Sequence, residues 1–154
     1  MQSEMYRKIM VAIDGSENAN KAALSGIEIA KLAGAKLYAL NVMPMTPHPS
    51  YFGVPIEPPK KVSKNEESLH EHFEKGGTKA LDAVKEMGTQ AGVEVETVLV
   101  SGHPGSEIID FAETNDIDLI VMGTLGRTGL DRVILGSVAT DVVRNANTRV
   151  LVVK

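Results

Sequence analysis

The sequence contains no cysteine, which excludes disulfide bonds, thiolate zinc sites and catalysis by a thiol nucleophile. It also has no apolar run that approaches the length of a membrane-spanning helix, about eighteen residues. Neither sign of charge dominates, because 16 basic and 20 acidic residues leave a formal net charge of −4. That balance argues against a broad electrostatic surface for nucleic acid, so any site for an anion has to be local.

The length and composition are those of a soluble globular protein. We expect one domain over residues 1–154, with 43% of residues hydrophobic and 23% charged. A chain of this length buries about 68–70% of the surface that its unfolded form exposes. Residues 1–8 lack the apolar core of a secretory signal peptide, so a cytoplasmic location is expected.

Five short apolar segments are separated by stretches with helical periodicity. Three of these five segments are almost continuously hydrophobic, which is typical of strands covered on both faces of a parallel sheet. The segment at residues 93–100 instead alternates between apolar and polar residues at its start, which favours an edge position. This alternation of strand and helix predicts the α/β class, with an open parallel sheet and helices on both faces. The predicted strands are residues 8–13, 36–42, 93–100, 117–122 and 149–153.

Four of the intervening stretches carry apolar side chains at helical spacing. Ser16 is the predicted N-cap of the first helix, and Gly34 is its predicted stop. Ser137 is the predicted N-cap of the last helix, a contribution of about 1 kcal/mol. The apolar positions of the four helices are, in chain order, Ala19, Ala22, Ala23, Gly26, Ile27 and Ala30; Leu69, Phe73, Ala80, Val84 and Met87; Ile108, Ile109 and Ala112; and Val138, Val142, Val143 and Ala146.

A long connection separates the second strand from the second helix. Residues 44–63 hold six of the seven prolines. Connections of this length are uncommon in compact domains, and many act as lids or are disordered. This one leaves the carboxyl end of a strand, the edge at which open α/β sheets bind ligands. A connection without any function explains the composition equally well.

Glycines are regularly spaced after the fourth predicted strand. Gly123 follows the strand, Gly126 comes after two further residues, and Gly136 and Ser137 come after nine more, directly before the last helix. Glycine lets backbone N–H groups approach an anion without a Cβ in the way. The helix start adds unpaired N–H donors and roughly half a positive charge. The arrangement predicts a phosphate-binding loop.

Each residue of this motif also has an explanation that involves no ligand. Gly123 can form a tight turn after a strand, and Gly136 can begin a helix. Ser137 can cap that helix, donate its hydroxyl to a phosphate oxygen, or do both. Arg127, which follows Gly126, can reach a phosphate or stay in solvent. The motif is not a Walker A loop, since no lysine lies between a glycine and the serine.

Residues at other strand ends extend the candidate site. Asp14 ends the first strand, where its carboxylate can accept hydrogen bonds from a ribose hydroxyl or form a turn with the Gly-Ser that follows. Val42 and Met122 suit a flat apolar base such as adenine, and they suit an ordinary core as well. We find no Ser-His-Asp arrangement, no HExxH and no paired-carboxylate motif, so no catalytic residue or protein metal ligand is assigned.

With these motifs the sequence resembles the universal stress proteins, and among them the ATP-binding branch. The glycine spacing is the ATP signature of that branch. The resemblance covers nearly the whole chain, and it implies a five-stranded sheet in the order 3-2-1-4-5 with ATP at the switch point between the first and fourth strands. The matching segments are residues 9–16, 102–104, 118–123, 126–129, 135–139 and 150–153.

The resemblance also implies which residues contact the nucleotide. Asp14 is implied to contact the nucleoside, Val42 and Met122 to border the adenine, and the glycine motif to surround the ribose and phosphates. Ala139 stands where a hydroxyl residue is expected, so one phosphate donor shifts to Thr140 or is missing. The full implied set is Ala12, Ile13, Asp14, Val42, Met122, Gly123, Gly126, Arg127, Gly136, Ser137, Val138 and Ala139.

The same resemblance implies a ligand, a cation and an assembly. The implied ligand is ATP. The glycine spacing does not indicate how many phosphates the nucleotide carries, so ADP and AMP remain alternatives. The cation is Mg2+ or Mn2+ held mainly by phosphate oxygens, an arrangement that needs few protein ligands. Family members commonly pair through the last strand, and the apolar residues 150–153 would otherwise leave an exposed edge.

The implied function is a nucleotide-dependent regulatory or stress-response homodimer that acts through a protein partner. The alternative is an enzyme of related architecture, either a slow ATP hydrolase or a nucleotidyl transferase. A third interpretation is an interaction module that binds no nucleotide, in which the glycines are only structural.

Overall fold

The computed structural model describes residues 4–14, 17–44, 66–124 and 135–154, without the side chains of residues 17 and 66–70. Strands and helices alternate along these ranges, as the apolar periodicity predicts. The elements are β1 (Lys8–Ala12), α1 (Glu17–Ala33), β2 (Lys36–Met43), α2 (Glu66–Ala91), β3 (Val95–Ser101), α3 (Pro104–Thr114), β4 (Leu119–Gly123), α4 (Ser137–Asn145) and β5 (Arg149–Val153).

The sheet has five strands in the order β3-β2-β1-β4-β5, which confirms the predicted order. Every neighbouring pair is parallel, and the central strand β1 is paired on both sides: Val11 lies opposite Ala39 of β2 and Val121 of β4. From β1 the chain builds outward to β2 and β3, and then returns to the other side for β4 and β5. The direction of winding therefore switches between β1 and β4.

Alternate residues of each strand supply two separate cores. In β1, Ile9 and Val11 pack with side chains of α1 and α2, whereas Met10 and Ala12 pack with those of α3 and α4. Strands buried on both faces need apolar residues at every position, which explains the nearly continuous hydrophobic run. Helices cover both faces of the sheet, as predicted. No helix in the described ranges is both long and apolar enough to span a membrane.

The edge position predicted for the third strand is confirmed. β3 pairs only with β2 in the described sheet, and after Val95 its residues are half-buried or exposed. The predicted stop of the first helix is confirmed as well, because Gly34 follows α1 with a φ of 68°, in the left-handed region that glycine adopts at helix ends. Ser16 and residues 45–63 of the proline-rich connection lie outside the described residues.

The last helix differs from its prediction in two respects. Its N-cap is Gly136, with φ −66° and ψ 167°, so Ser137 is the first helical residue and not the cap. Its buried face consists of Val138, Ala139 and Val142, whereas Val143 is 47% exposed. The reason is geometric: at about 100° per residue, Val138, Val142 and Ala139 together span about 100° of the helix circumference, and Val143 lies about 40° beyond that stripe.

Candidate functional site

A pocket opens at the carboxyl edge of the sheet between β1 and β4, which is the switch point of the fold. Open α/β sheets bind their ligands at such points, because the connections diverge there and leave a crevice. The empty space within the pocket is about 400 Å³, a volume that includes open solvent. It is lined by Ala12, Asp14, Asn18, Ala19, Met122, Gly123, Thr124, Gly136, Val138 and Ala139.

Two helices begin at this pocket. Asn18 and Ala19 belong to the first turn of α1, and Gly136 and Val138 flank the start of α4. The backbone dipoles of each helix place a partial positive charge at its start. Among the described residues no side chain caps α4 by a hydrogen bond, and its first turn holds no acidic residue. The start of α4 is therefore suited to receive the oxygens of an anion.

The inner wall of the pocket is apolar. Ala12 and Met122 are buried at the ends of the two central strands, and Val138 and Ala139 are buried on the first turn of α4. All four belong to the core between the sheet and the α3–α4 layer. Such a wall can accommodate a flat apolar group, while the polar groups of the pocket come from Asp14, Asn18 and Thr124.

Gly123 is required by packing. A Cβ added there would lie 2.8 Å from the carbonyl oxygen of Asn18 and 2.9 Å from its carbonyl carbon. Real Cβ atoms essentially never come so close to other atoms, and a backbone carbonyl cannot rotate away as a side chain can. The glycine thus lets the end of β4 lie directly against the start of α1, and the two together form one side of the pocket.

Asn18 joins the two elements by a hydrogen bond that sequence reasoning missed. Its side-chain amide donates to the carbonyl oxygen of Thr124. The N–H of Thr124 donates to the carbonyl oxygen of Val153 at 3.1 Å, which extends the pairing of β4 with β5 by one residue. The peptide after Gly123 is therefore held from two directions. Asn18 belongs to no sequence motif, and Thr124 is one of the two unspecified residues between Gly123 and Gly126.

Asn41 performs a similar role beneath Asp14. Its side chain is 7% exposed, and its amide donates to the carbonyl oxygen of Ile13 at 2.7 Å. The N–H of Ile13 donates to the carbonyl oxygen of Leu40 at 2.8 Å. Because both backbone groups of Ile13 are engaged within the protein, the chain is held in place where it turns out of the sheet toward Asp14.

The structure brings together most of the predicted site residues. Asp14 and Gly136 meet Ala12, Met122, Gly123, Val138 and Ala139 around the pocket. Three others do not line it: Ile13 packs toward α1 and α2, Val42 is buried in the core on the α3–α4 face, and Ser137 is exposed at the start of α4. Gly126 and Arg127 lie outside the described residues. In the ranges the structure covers, no group of three His, Asp or Glu side chains could hold a metal ion.

The fold and the pocket define a doubly wound α/β protein with a crevice at its switch point. The family model of the "Universal stress protein family" matches residues 5–154. The chain belongs to the universal stress protein family.

Known relatives and solved structures agree with that membership. A universal stress protein of Methanocaldococcus jannaschii is 42% identical over 150 residues, which cover 97% of this chain and 83% of that protein. The structure of the universal stress protein UspA from Lactobacillus plantarum has a TM-score of 0.75 at 27% identity, with 97% of this chain and 98% of that one covered. A universal stress protein from Archaeoglobus fulgidus, solved in complex with dAMP, has a TM-score of 0.67 at 25% identity, with 97% and 99% covered.

Proposed function

We propose that this chain binds an adenine nucleotide, with ATP as the principal ligand, in the pocket between β1 and β4. The observation that carries the proposal is the meeting of three features in one pocket: the carboxylate of Asp14, an apolar wall that includes Met122, and the start of α4, to which no described side chain is hydrogen-bonded. A nucleotide presents a sugar, a base and phosphates, and these match the three features in turn. The dAMP held by the Archaeoglobus relative supports this class of ligand.

Within this proposal each part of the nucleotide has a counterpart. The base lies against Met122 and Ala12, which are buried at adjacent strand ends. The carboxylate of Asp14 accepts hydrogen bonds from ribose hydroxyls. The phosphates lie at the start of α4. Further proposed contacts of the phosphates are Gly126, Arg127 and Ser137. The proposed cation, Mg2+ or Mn2+, is held by phosphate oxygens.

The ATP-binding branch of the family and a regulatory role follow as part of the same proposal. Occupancy of the pocket stabilises the edge of the sheet, and a protein partner responds to the bound state. Ligand linkage sets the size of the effect: at a hundredfold excess over its Kd, ATP stabilises the folded state by about 2.7 kcal/mol.

Titration calorimetry with ATP, ADP, AMP and GTP in the presence of Mg2+ tests the proposal. We expect saturable binding of the adenine nucleotides and weaker binding of GTP. A hundredfold excess of ATP should raise the melting temperature by roughly 5–11 °C. Neither heat nor a melting shift with millimolar adenine nucleotides would refute the proposal.

The proposed assembly is a homodimer that forms through β5. This strand is at the end of the sheet, pairs only with β4 among the described strands, and leaves Leu151 38% exposed. An apolar edge strand has backbone donors and acceptors that a second copy can satisfy, and twofold pairing is the commonest arrangement of such copies. Light scattering at micromolar concentration measures the mass that decides between monomer and dimer.

A further inference from the structure

The side chain of Thr124 is buried without a hydrogen-bond partner. The residue is 6% exposed, and its hydroxyl oxygen Oγ1 is the buried side-chain polar atom for which the described residues provide no partner. Native proteins retain few such groups, and each one calls for an explanation. Thr124 is one of the residues that line the pocket in which the proposed ligand binds.

The backbone around this hydroxyl is fixed. The carbonyl of Thr124 accepts from the side chain of Asn18, and its N–H donates to Val153 at 3.1 Å. Asn41, the other buried polar residue of the described core, does find a partner, because it donates to Ile13 at 2.7 Å. The protein thus pairs the amide of one buried polar side chain and leaves the hydroxyl of the other unpaired.

We infer that the Thr124 hydroxyl donates a hydrogen bond to a phosphate oxygen of the bound nucleotide. This inference rests on the proposed function and adds to it a side-chain donor within the glycine motif, at the residue directly after Gly123. A hydroxyl is neutral and can donate or accept. Because the pocket also contains the positive start of α4 at Gly136, an anionic oxygen is the acceptor that this environment favours.

Three ligands and two variants test the inference. Thr124→Val removes the hydroxyl and keeps the shape of the side chain, whereas Thr124→Ser keeps the hydroxyl. Calorimetry is done with ATP, inorganic tripolyphosphate and adenosine. We expect Thr124→Val to lower the affinity for ATP and for tripolyphosphate by about tenfold or more and to leave the affinity for adenosine unchanged. Thr124→Ser should bind all three within about threefold of wild type, since the donor is retained.

The ligand-free protein supplies an independent measurement. A hydroxyl without a partner adds nothing to the stability of the fold, so Thr124→Val should melt at or above the temperature of wild type without nucleotide. With saturating ATP the order should reverse, because the wild type gains more from its ligand. A lower melting temperature of ligand-free Thr124→Val would show that the hydroxyl has a partner within the protein, and would overturn the inference.

The remaining outcomes separate this inference from the proposed function. If the wild type binds ATP and Thr124→Val binds it equally well, the role of Thr124 is refuted and nucleotide binding stands. If adenosine is weakened as much as ATP, the hydroxyl contacts the nucleoside and the phosphate assignment is refuted. If the wild type binds neither ATP nor tripolyphosphate, the proposed function fails and the inference fails with it.

Discussion

Replacing Gly123 with alanine tests the contact that shapes one side of the pocket. The new Cβ would lie 2.8 Å from the carbonyl oxygen of Asn18, so β4 and α1 would have to move apart by several tenths of an ångström. The cost is steric only, because the φ of Gly123 is not positive. Overpacking of this kind costs about 1–3 kcal/mol. For a chain of this size, the melting temperature should fall by roughly 2–12 °C.

The assay is urea or thermal unfolding of Gly123→Ala beside a matched glycine variant. Gly76 in α2 serves as the control, because a Cβ added there meets no atom within 4 Å. Alanine at that helical position should stabilise the protein by about 0.4–1 kcal/mol. The two glycine-to-alanine changes are thus expected to have opposite signs.

Ligand binding gives the same comparison a second measurement. Displacement of α1 from β4 alters the spacing across the pocket. Gly123→Ala should therefore lower the affinity of the protein for ATP, whereas Gly76→Ala should leave that affinity unchanged. A Gly123→Ala protein as stable as wild type would refute the reasoning from close packing, whatever its affinity for nucleotide.

Other substitutions test the remaining assignments. Gly126→Val should abolish nucleotide binding and change the free energy of unfolding by no more than about 1–2 kcal/mol; an unchanged calorimetric titration would show that the glycine motif does not contact the ligand. Asp14→Ala should weaken ATP more than tripolyphosphate, since a ribose contact affects only the nucleotide; equal losses would remove Asp14 from that role. Val152→Glu should yield monomers in light scattering, whereas Leu32→Glu, at a position 79% exposed on α1, should not; a Val152→Glu dimer would place the interface elsewhere.

The strands of the sheet could be predicted because they have an unambiguous signal. Residues such as Val11 and Val121 are fully buried between two helix layers, so the sequence around them is apolar at every position. The family resemblance added the order of the strands, which periodicity alone does not provide. The sequence-based prediction begins α4 one residue too late, because serine is preferred over glycine as an N-cap. Only the extended backbone of Gly136 shows that the glycine is the cap.

The polar framework of the pocket could not be predicted. Asn18 and Thr124 are 106 residues apart in the sequence, and their hydrogen bond depends on how β4 meets α1 in space. An asparagine in a first helical turn and a threonine after a strand are both ordinary in sequence. The role of Gly123 was open for a similar reason, because a turn, a phosphate contact and close packing all require the same residue.

The hydrogen bond from Thr124 to Val153 makes the pocket and the outer rim of the sheet immediate neighbours. One peptide unit separates the pocket from β5, the strand along which the proposed second subunit would add. If ligand binding shifts that peptide, the hydrogen bond to Val153 transmits the shift to β5. If both events take place, thermodynamic reciprocity requires that subunit association alter nucleotide affinity by the same factor by which the nucleotide alters association. A difference in affinity between dilute and concentrated protein would reveal that coupling directly.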